Sequence, residues 1–370
     1  MNDLSPCSLW HIQSSLLIFC LLLAGLSACQ NDRNQNETEA DAEDHQIMTV
    51  AGPISSSEMG TTLIHEHVLV DWIGADSTGS HRWNRDEVVE RVLPFMQEAA
   101  DQGVQTMLEC TPAYLGRDPV ILQELSRRTG VQILTNTGYY GAVDNNFMPA
   151  HAWEESAEEL AARWIDEFEN GIGDRGIRPG FMKISVRGEG PLSELHQKIV
   201  RAAALAHLET GLTIVSHTTG DEPALAQLEI LAEAGVSPAA WVWTHSQAGS
   251  LETQIQIGNQ GAWISIDNFN YDPDRVSGER GNLEWFVQRL SDLDEAGLLD
   301  KVLISHDAGY YNPDEAGGGD FRGYTDIFEH LLPALKENGF TEDQIDQLLI
   351  QNPQQAYGIR VRAMEPSAAS

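Results

Sequence analysis

Six side chains of the kinds that bind divalent metal ions recur along the chain, each in or just after a short apolar segment. The first two form the motif His65-x-His67 at the end of a run of β-forming residues. Residues two apart in a strand point to the same side, so both imidazoles can meet one ion. The remaining members of the set are Lys183, His217, His245 and Asp307.

These side chains predict a metal site. A single imidazole in a protein core is usually an ordinary hydrogen-bonded histidine. Four imidazoles and a carboxylate at the ends of apolar strands are different, because removing so many polar groups from water requires a compensating charge. Imidazole and carboxylate donors make zinc the first choice, with manganese, cobalt and iron also compatible.

Lys183 bears on the number of ions. The chain has only four lysines, and this one lies in the apolar run Phe181-Met182-Lys183-Ile184. An unpaired ammonium is costly there, and a nearby cation would repel it. A neutral lysine amine can take up carbon dioxide and become a carbamate, whose two oxygens can bridge two metal ions. We therefore expect N-carboxylated Lys183 and two ions; the alternative is a neutral or ion-paired core lysine.

The segments that carry these residues alternate with helical patterns such as 86–102 and 194–209. Repeated βα units form a parallel sheet, and eight of them close most simply into a (β/α)8 TIM barrel, whose active site lies at the C-terminal strand ends. A doubly wound open sheet would instead require a glycine-rich turn where this chain has His65-Glu66-His67. The predicted strands span 61–68, 104–110, 131–140, 180–186, 212–217, 240–245, 261–267 and 301–307.

The order HxH, Lys, His, His, Asp on such a frame resembles the phosphotriesterase-like family of the amidohydrolase superfamily. The resemblance extends from Val50-Ala51-Gly52-Pro53-Ile54 to Asn352-Pro353. It implies two ions bridged by carboxylated Lys183 and a hydroxide. The other ligands would divide between a buried α metal, held by His65, His67 and Asp307, and a more exposed β metal, held by His217 and His245.

The implied chemistry is hydrolysis. Two cations lower the pKa of a bridging water and polarise the carbonyl or phosphoryl oxygen under attack, and Asp307 would accept the proton. We expect an ester bond as the target, with carboxylic esters and lactones ahead of organophosphate triesters because the former are common in nature. A cyclic-amide hydrolase of the same superfamily and a lipid-tethered binding protein without turnover are the alternatives.

The sequence identifies residues that would contact the substrate less clearly than it identifies the metal ligands. Two segments depart from the family pattern: an acidic residue is often found where this chain has His245-Ser246-Gln247, and the lactonase branch tends to have arginine directly after the aspartate of Asp267-Asn268-Phe269. Aromatic side chains near strand ends can line a pocket or simply pack, and a loop arginine can bind an anion or remain solvated. The candidate substrate residues are Trp72, Tyr139, Tyr140 and Arg187.

The N-terminal part of the chain carries signals of export. An apolar run from Ser15 to Leu26 ends in Leu26-Ser27-Ala28-Cys29, which resembles the lipobox of bacterial lipoproteins. We expect a signal peptide over 1–29, lipidation of Cys29, and attachment to a bacterial membrane facing the periplasm or exterior. Because no lysine or arginine precedes the run, an uncleaved hydrophobic anchor is the alternative.

Composition and net charge limit the kinds of partner that the protein can bind. The 370 residues include 22 Lys plus Arg and 56 Asp plus Glu, giving a net charge of -34. Polyphosphate would be repelled, so nucleic acid is not an expected partner, and the membrane is expected to be reached only through the lipid. The predicted domains are an acidic tether at 30–46, the barrel at 47–362 and a disordered tail at 363–370. The family resemblance also implies a homodimer.

Overall fold

A computed structural model of the chain describes residues 44–272 and 282–364. The predicted leader with Cys29, nearly all of the tether, and residues 365–370 of the predicted tail lie outside the described residues. Within the described ranges, every helix is too short or too polar to cross a bilayer.

The strands fall into a hairpin and a parallel barrel. The hairpin consists of β1 (Gln46–Thr49) and β2 (Gly52–Ser55), which pair antiparallel. In the barrel, β5 and β6 are two parts of one extended segment interrupted at Thr135, so the strands occupy eight positions. They are β3 (Thr62–Glu66), β4 (Thr106–Glu109), β5 (Gln132–Leu134), β6 (Asn136–Thr137), β7 (Phe181–Ser185), β8 (Ile214–His217), β9 (Trp241–Thr244), β10 (Trp263–Ile266) and β11 (Val302–Ile304).

The barrel closes between its last and first strands. Strands β3 to β5 form one parallel ladder and β6 to β11 another. Just beyond β11, the Asp307 N–H donates to His65 O at 3.0 Å, and the His67 N–H donates to Ala308 O at 2.8 Å. These bonds join β11 to β3, and the predicted (β/α)8 barrel is confirmed.

Helices connect the strands and cover the barrel. Both helical patterns named from the sequence are present, over Arg85–Asp101 and Glu194–Thr210, with ends shifted by at most one residue. Asn84 caps the first of them by accepting from its free N–H groups. Two π-helical segments, Ile327–Leu331 and Gln347–Gln351, continue directly into α-helices. The α-helices are α1 (Arg85–Asp101), α2 (Pro119–Thr129), α3 (His151–Glu154), α4 (Ala157–Asn170), α5 (Glu194–Thr210), α6 (Asp221–Glu233), α7 (Leu251–Asn259), α8 (Leu283–Glu295), α9 (Leu332–Glu337), α10 (Glu342–Asp346) and α11 (Asn352–Tyr357).

The N-terminal end of the barrel has an apolar interior. Side chains from the strands, such as Ile64 and Val242, form one buried cluster with Ile47 of the hairpin and Tyr357 of α11. Thr213, which precedes β8, donates to Ala356 O at 2.5 Å and so ties α11 to this end. Burial of these apolar side chains removes their surface from water, which stabilises the barrel at this end.

Residues near both ends of the described region pair with other parts of the barrel domain. β1 begins at Gln46, one residue before the predicted start of the barrel domain. At the other end, Ala363 bridges Val236, and the Met364 N–H donates to Gly235 O at 2.8 Å. The first two residues of the predicted tail are therefore held against the body.

Candidate metal centre

All six predicted ligands line one cavity at the C-terminal ends of the barrel strands. Val70, Trp72, Leu115, Tyr140 and Tyr310 form much of the remaining wall. The cavity thus has a polar base and an apolar, aromatic rim. The six residues brought together are His65, His67, Lys183, His217, His245 and Asp307.

Three of the ligands, His67, His245 and Asp307, lie beyond their strands rather than in them, and β3 already ends at Glu66. β9 ends at Thr244 and β11 at Ile304, so the predicted strand segments 240–245 and 301–307 extend too far. His245 and Asp307 have left-handed backbones, with φ of 64° and 53°. This conformation is unfavourable for residues other than glycine, by roughly 1–2 kcal/mol, so neighbouring contacts must hold it.

The donors of His65, His67 and Asp307 converge within the cavity. Asp307 Oδ1 lies 3.1 Å from His67 Nε2 and 3.6 Å from His65 Nε2. The three donor atoms lie within 4.8 Å of one another, in a group that could hold a metal ion. Zinc bonds of about 2.0–2.2 Å to each donor are compatible with these separations. The donor set therefore fits the predicted ion chemically and in its spacing.

In three of the histidines, the Nδ1 atom of the ring lies within hydrogen-bond distance of a neighbouring side chain. Asp267 lies 3.0 Å from His65 Nδ1 and 2.8 Å from His245 Nδ1, measured from its two carboxylate oxygens. Thr111 Oγ1 lies 2.8 Å from His67 Nδ1. Metal-binding histidines almost always use their other nitrogen in this way, which fixes the ring orientation. The Nε2 atoms of all three rings are therefore left to face the cavity.

Asp267 and Thr111 were not among the residues predicted for the site. Asp267 is fully buried and also accepts from Ser265 Oγ at 2.6 Å and from the His245 N–H at 3.1 Å. Its signal in the sequence is its place at the end of a predicted strand, where the other site residues also occur. Thr111, which follows β4, carries no comparable signal.

Burial and charge set the protonation of the group. Burial lowers the pKa of His65 to about 4 and places that of His217 well below the ordinary value, so both rings are neutral, as metal binding requires. Burial opposes ionisation of Asp307, yet the surrounding imidazoles hold its pKa well below the usual range. His245 differs, because Asp267 raises its pKa despite burial.

Comparison with known proteins identifies the family. Residues 45–357 match the phosphotriesterase family profile. The chain belongs to the phosphotriesterase family. It is 29% identical over 316 residues to an aryldialkylphosphatase of Saccharolobus solfataricus, covering 82% of this chain and 96% of the relative. It is 25% identical over 355 residues to a human N-acetyltaurine hydrolase, covering 84% and 97%.

The fold comparison agrees with this membership. A solved structure of a triply substituted organophosphorus hydrolase from Deinococcus radiodurans superposes with a TM-score of 0.74 at 25% identity. The match covers 84% of this chain and 97% of that one. Phosphotriesterase-family members are hydrolases, and this chain is a hydrolase of that family.

The predicted substrate residues divide into two pairs. Trp72 and Tyr140 line the cavity of this phosphotriesterase-family site. The structure does not bring Tyr139 there: it is outside the cavity wall, and its hydroxyl lies 2.9 Å from His151 Nε2. Arg187 is exposed and does not line the cavity either.

Tyr310 is a cavity residue that was not predicted. Its hydroxyl donates to Asp307 Oδ1, and its ring stacks on His67 with centroids 4.7 Å apart. The ring also stacks on that of Trp72, with centroids 6.3 Å apart. The backbone of Tyr310 is left-handed, with φ of 74°, and that turn aims the ring back over the donors.

Proposed function

We propose that this phosphotriesterase-family hydrolase cleaves ester bonds at a binuclear centre of divalent ions, zinc first. The observation that carries the proposal is the convergence of the donor groups on one cavity, with the His65, His67 and Asp307 donor atoms within 4.8 Å of one another. When bound, the ions supply an ionised water near neutral pH and polarise the oxygen of the bond to be cleaved. The residues proposed to hold them are His65, His67, Lys183, His217, His245 and Asp307.

The surroundings of Lys183 support its proposed carboxylation. Its side chain is buried in β7, and Nζ lies 3.3 Å from His65 Nε2. A buried ammonium beside an imidazole lacks the opposite charge that would offset its desolvation. A carbamate replaces the positive charge with a negative one and suits the cations that the site would hold.

Asp307 is proposed to take up the proton released during hydrolysis. Its low pKa keeps the carboxylate ionised, and its side chain is 17% exposed, so the acceptor oxygens reach the cavity. Such a carboxylate must lie within hydrogen-bond reach of the proton that it accepts. Asp267 and Thr111 would meanwhile keep the three imidazoles in place.

The cavity wall favours a neutral substrate with an apolar group. Among the described residues that line it, Lys183 is the only lysine or arginine, and it lies at the base. Trp72, Leu115 and Tyr140 offer apolar surface. Carboxylic esters and lactones remain the first choice and organophosphate triesters the second. The similarity to an N-acetyltaurine hydrolase makes an amide the alternative to be tested.

A substrate panel tests this proposal. Zinc-reconstituted protein would be assayed with lactones, aryl esters, phosphotriesters and acylated amines, and we expect the highest kcat/KM for a neutral ester or lactone. A preference for the amides would overturn the ester assignment. Lys183→Ala should abolish turnover, with partial recovery on adding short carboxylates that replace the carbamate; unchanged turnover would contradict the bridging role.

We also infer, from the sequence alone, that the protein is exported and lipid-anchored at Cys29 and that it forms a homodimer. The lipobox-like segment Leu26–Cys29 supports the anchor. Cys29→Ser should release the protein from bacterial membranes, and continued retention would favour the uncleaved hydrophobic anchor. Light scattering of the released protein would test the dimer.

A further inference from the structure

Glu66 is a buried carboxylate that the proposed chemistry does not use. It lies between His65 and His67, so its side chain points to the other face of β3, away from the cavity. Its side chain is fully buried. An ionised group in that position is costly unless several donors surround it.

The donors to Glu66 come from one short segment of chain. Its Oε1 accepts from Ser305 Oγ at 2.8 Å and from the His306 N–H at 3.1 Å. Its Oε2 accepts from the Ala308 N–H at 2.9 Å. The two oxygens therefore hold the backbone on either side of Asp307.

His306 adds a further bond to the same carboxylate. Its Nδ1 lies 2.7 Å from Glu66 Oε1, and its Nε2 lies 3.0 Å from the backbone N–H of Ile327, which can only donate. Nε2 must then be the acceptor, so the proton is on Nδ1 and is donated to Glu66. The imidazole thus connects Glu66 to the π-helical segment that starts at Ile327.

We propose that Glu66 is a positioning residue that sets the left-handed turn at Asp307 and thereby its carboxylate in the metal centre. The inference rests on the proposed function, since it assumes that Asp307 binds metal. Asp307 has φ of 53°, a left-handed conformation that residues other than glycine seldom adopt unless neighbouring contacts hold it. The bidentate bonds of Glu66 to residues 306 and 308 supply that constraint.

Glu109 provides a matched comparison. It is the register partner of Glu66 on the neighbouring strand β4 and is equally buried. Its Oε1 accepts a bond from the Val68 N–H at 3.2 Å, and its carboxylate also interacts with Thr111. Its Oε2 lies outside hydrogen-bond geometry with every described donor. Burial raises the pKa of Glu109, so a neutral side chain is tolerated there. Glu109 makes no bond to the turn at Asp307.

Substitution by glutamine should have different effects on metal affinity at Glu66 and at Glu109. Glu66→Gln keeps the size of the side chain but leaves one acceptor oxygen, so either the residue 306 or the residue 308 N–H loses its partner. The turn can then shift, and we expect metal affinity to fall about 10–100-fold, as for other groups that orient metal ligands. Glu109→Gln should change affinity less than about threefold, because none of its bonds reaches the turn at Asp307 and an amide oxygen can still accept from the Val68 N–H.

The test uses the full chain with Zn²⁺ and Co²⁺. Affinity is measured by competition with a chromophoric chelator, ligand geometry by the visible spectrum of the Co²⁺ form, and folding by circular dichroism and Tm without metal. We expect weaker binding and an altered Co²⁺ spectrum for Glu66→Gln, and a wild-type spectrum for Glu109→Gln. Equal behaviour of the two variants overturns the positioning role.

Two further results are decisive. If the wild-type chain binds neither ion, the proposed metal centre fails, and the role of Glu66 fails with it. If the wild-type chain binds and Glu66→Gln binds equally well, only the role of Glu66 is overturned. Should Glu66→Gln not fold, Glu66→Asp is compared with Glu109→Asp: the shortened carboxylate cannot span both N–H groups, so the same difference in affinity is expected, and its absence overturns the proposal.

Discussion

The two sides of the proposed centre differ in how firmly their side chains are held. On the fixed side, every member has a hydrogen-bonding partner behind it: Asp267, Thr111 or Tyr310. This side consists of the three expected α-metal ligands His65, His67 and Asp307 together with His245 from the expected β-metal set. On the adjustable side, formed by Lys183 and His217, the contacts are longer. Both ring nitrogens of His217 lie 3.4 Å from Tyr140 Oη, near the limit of a hydrogen bond.

This difference implies that the two ions are not bound alike. A ligand that is already oriented loses little entropy on binding, whereas one that must be ordered by the ion loses more. We therefore expect the ion on the fixed side to bind first and to leave last. Binding of the second ion, on the adjustable side, depends instead on the carboxylation of Lys183 and on the presence of the first ion.

The largest expected effect comes from deleting one ligand on each side. His217→Ala should retain about one ion per chain, because the fixed side keeps all its donors, whereas His67→Ala should lose the tightly held ion as well. Elemental analysis after exhaustive dialysis measures the difference. Equal metal loss from the two variants would mean that the two sides do not differ.

Removing the charge that orients two ligands should have the next largest effect. Asp267→Asn leaves His65 and His245 without their shared carboxylate, and we expect metal affinity to fall about 100-fold, at the upper end for such orienting groups. Chelator competition gives the affinity. Asp71→Asn is the control, since Asp71 is an equally buried aspartate, paired with Arg82 at 2.8 Å and outside the cavity wall. If both substitutions act alike, the effect is general destabilisation.

The sequence predicts the ligands better than the way in which they are held. Donor types at strand ends are visible locally, and the strand and helix periodicities place them on one barrel. The bond between His65 and Asp267 joins residues 202 positions apart, which no local pattern encodes. The left-handed turns at His245 and Asp307 are similarly invisible, because they depend on tertiary contacts such as those of Glu66.

The candidate substrate residues also show that the sequence alone does not determine which side chains reach the cavity. Tyr139 and Tyr140 are both candidates from the sequence, because both are aromatic residues at the end of the predicted strand 131–140. The strand ends at Thr137, and only Tyr140 reaches the cavity. Tyr310 reaches it through a left-handed turn, so its approach to Asp307 could not be counted along a strand.

A smaller effect is expected from the neutral partner on the fixed side. Thr111→Val keeps the shape of the side chain and removes the hydroxyl that lies 2.8 Å from His67 Nδ1. We expect about a tenfold loss of metal affinity, because one ligand is freed rather than two and no charge is removed. Thr111→Ser restores the hydroxyl and should bind metal like the wild type. A normal affinity for Thr111→Val would show that His67 does not need its partner.

The smallest effect on metal binding should come from Tyr140, the corresponding partner on the adjustable side. Its two 3.4 Å contacts to His217 are too long to fix the ring, so Tyr140→Phe should weaken metal binding by less than about threefold. Its hydroxyl lies at the cavity wall, however, so KM for an ester substrate should still change. Chelator competition and steady-state kinetics on the same preparation separate the two effects. A tenfold loss of affinity would place His217 among the firmly held ligands and remove the distinction between the two sides.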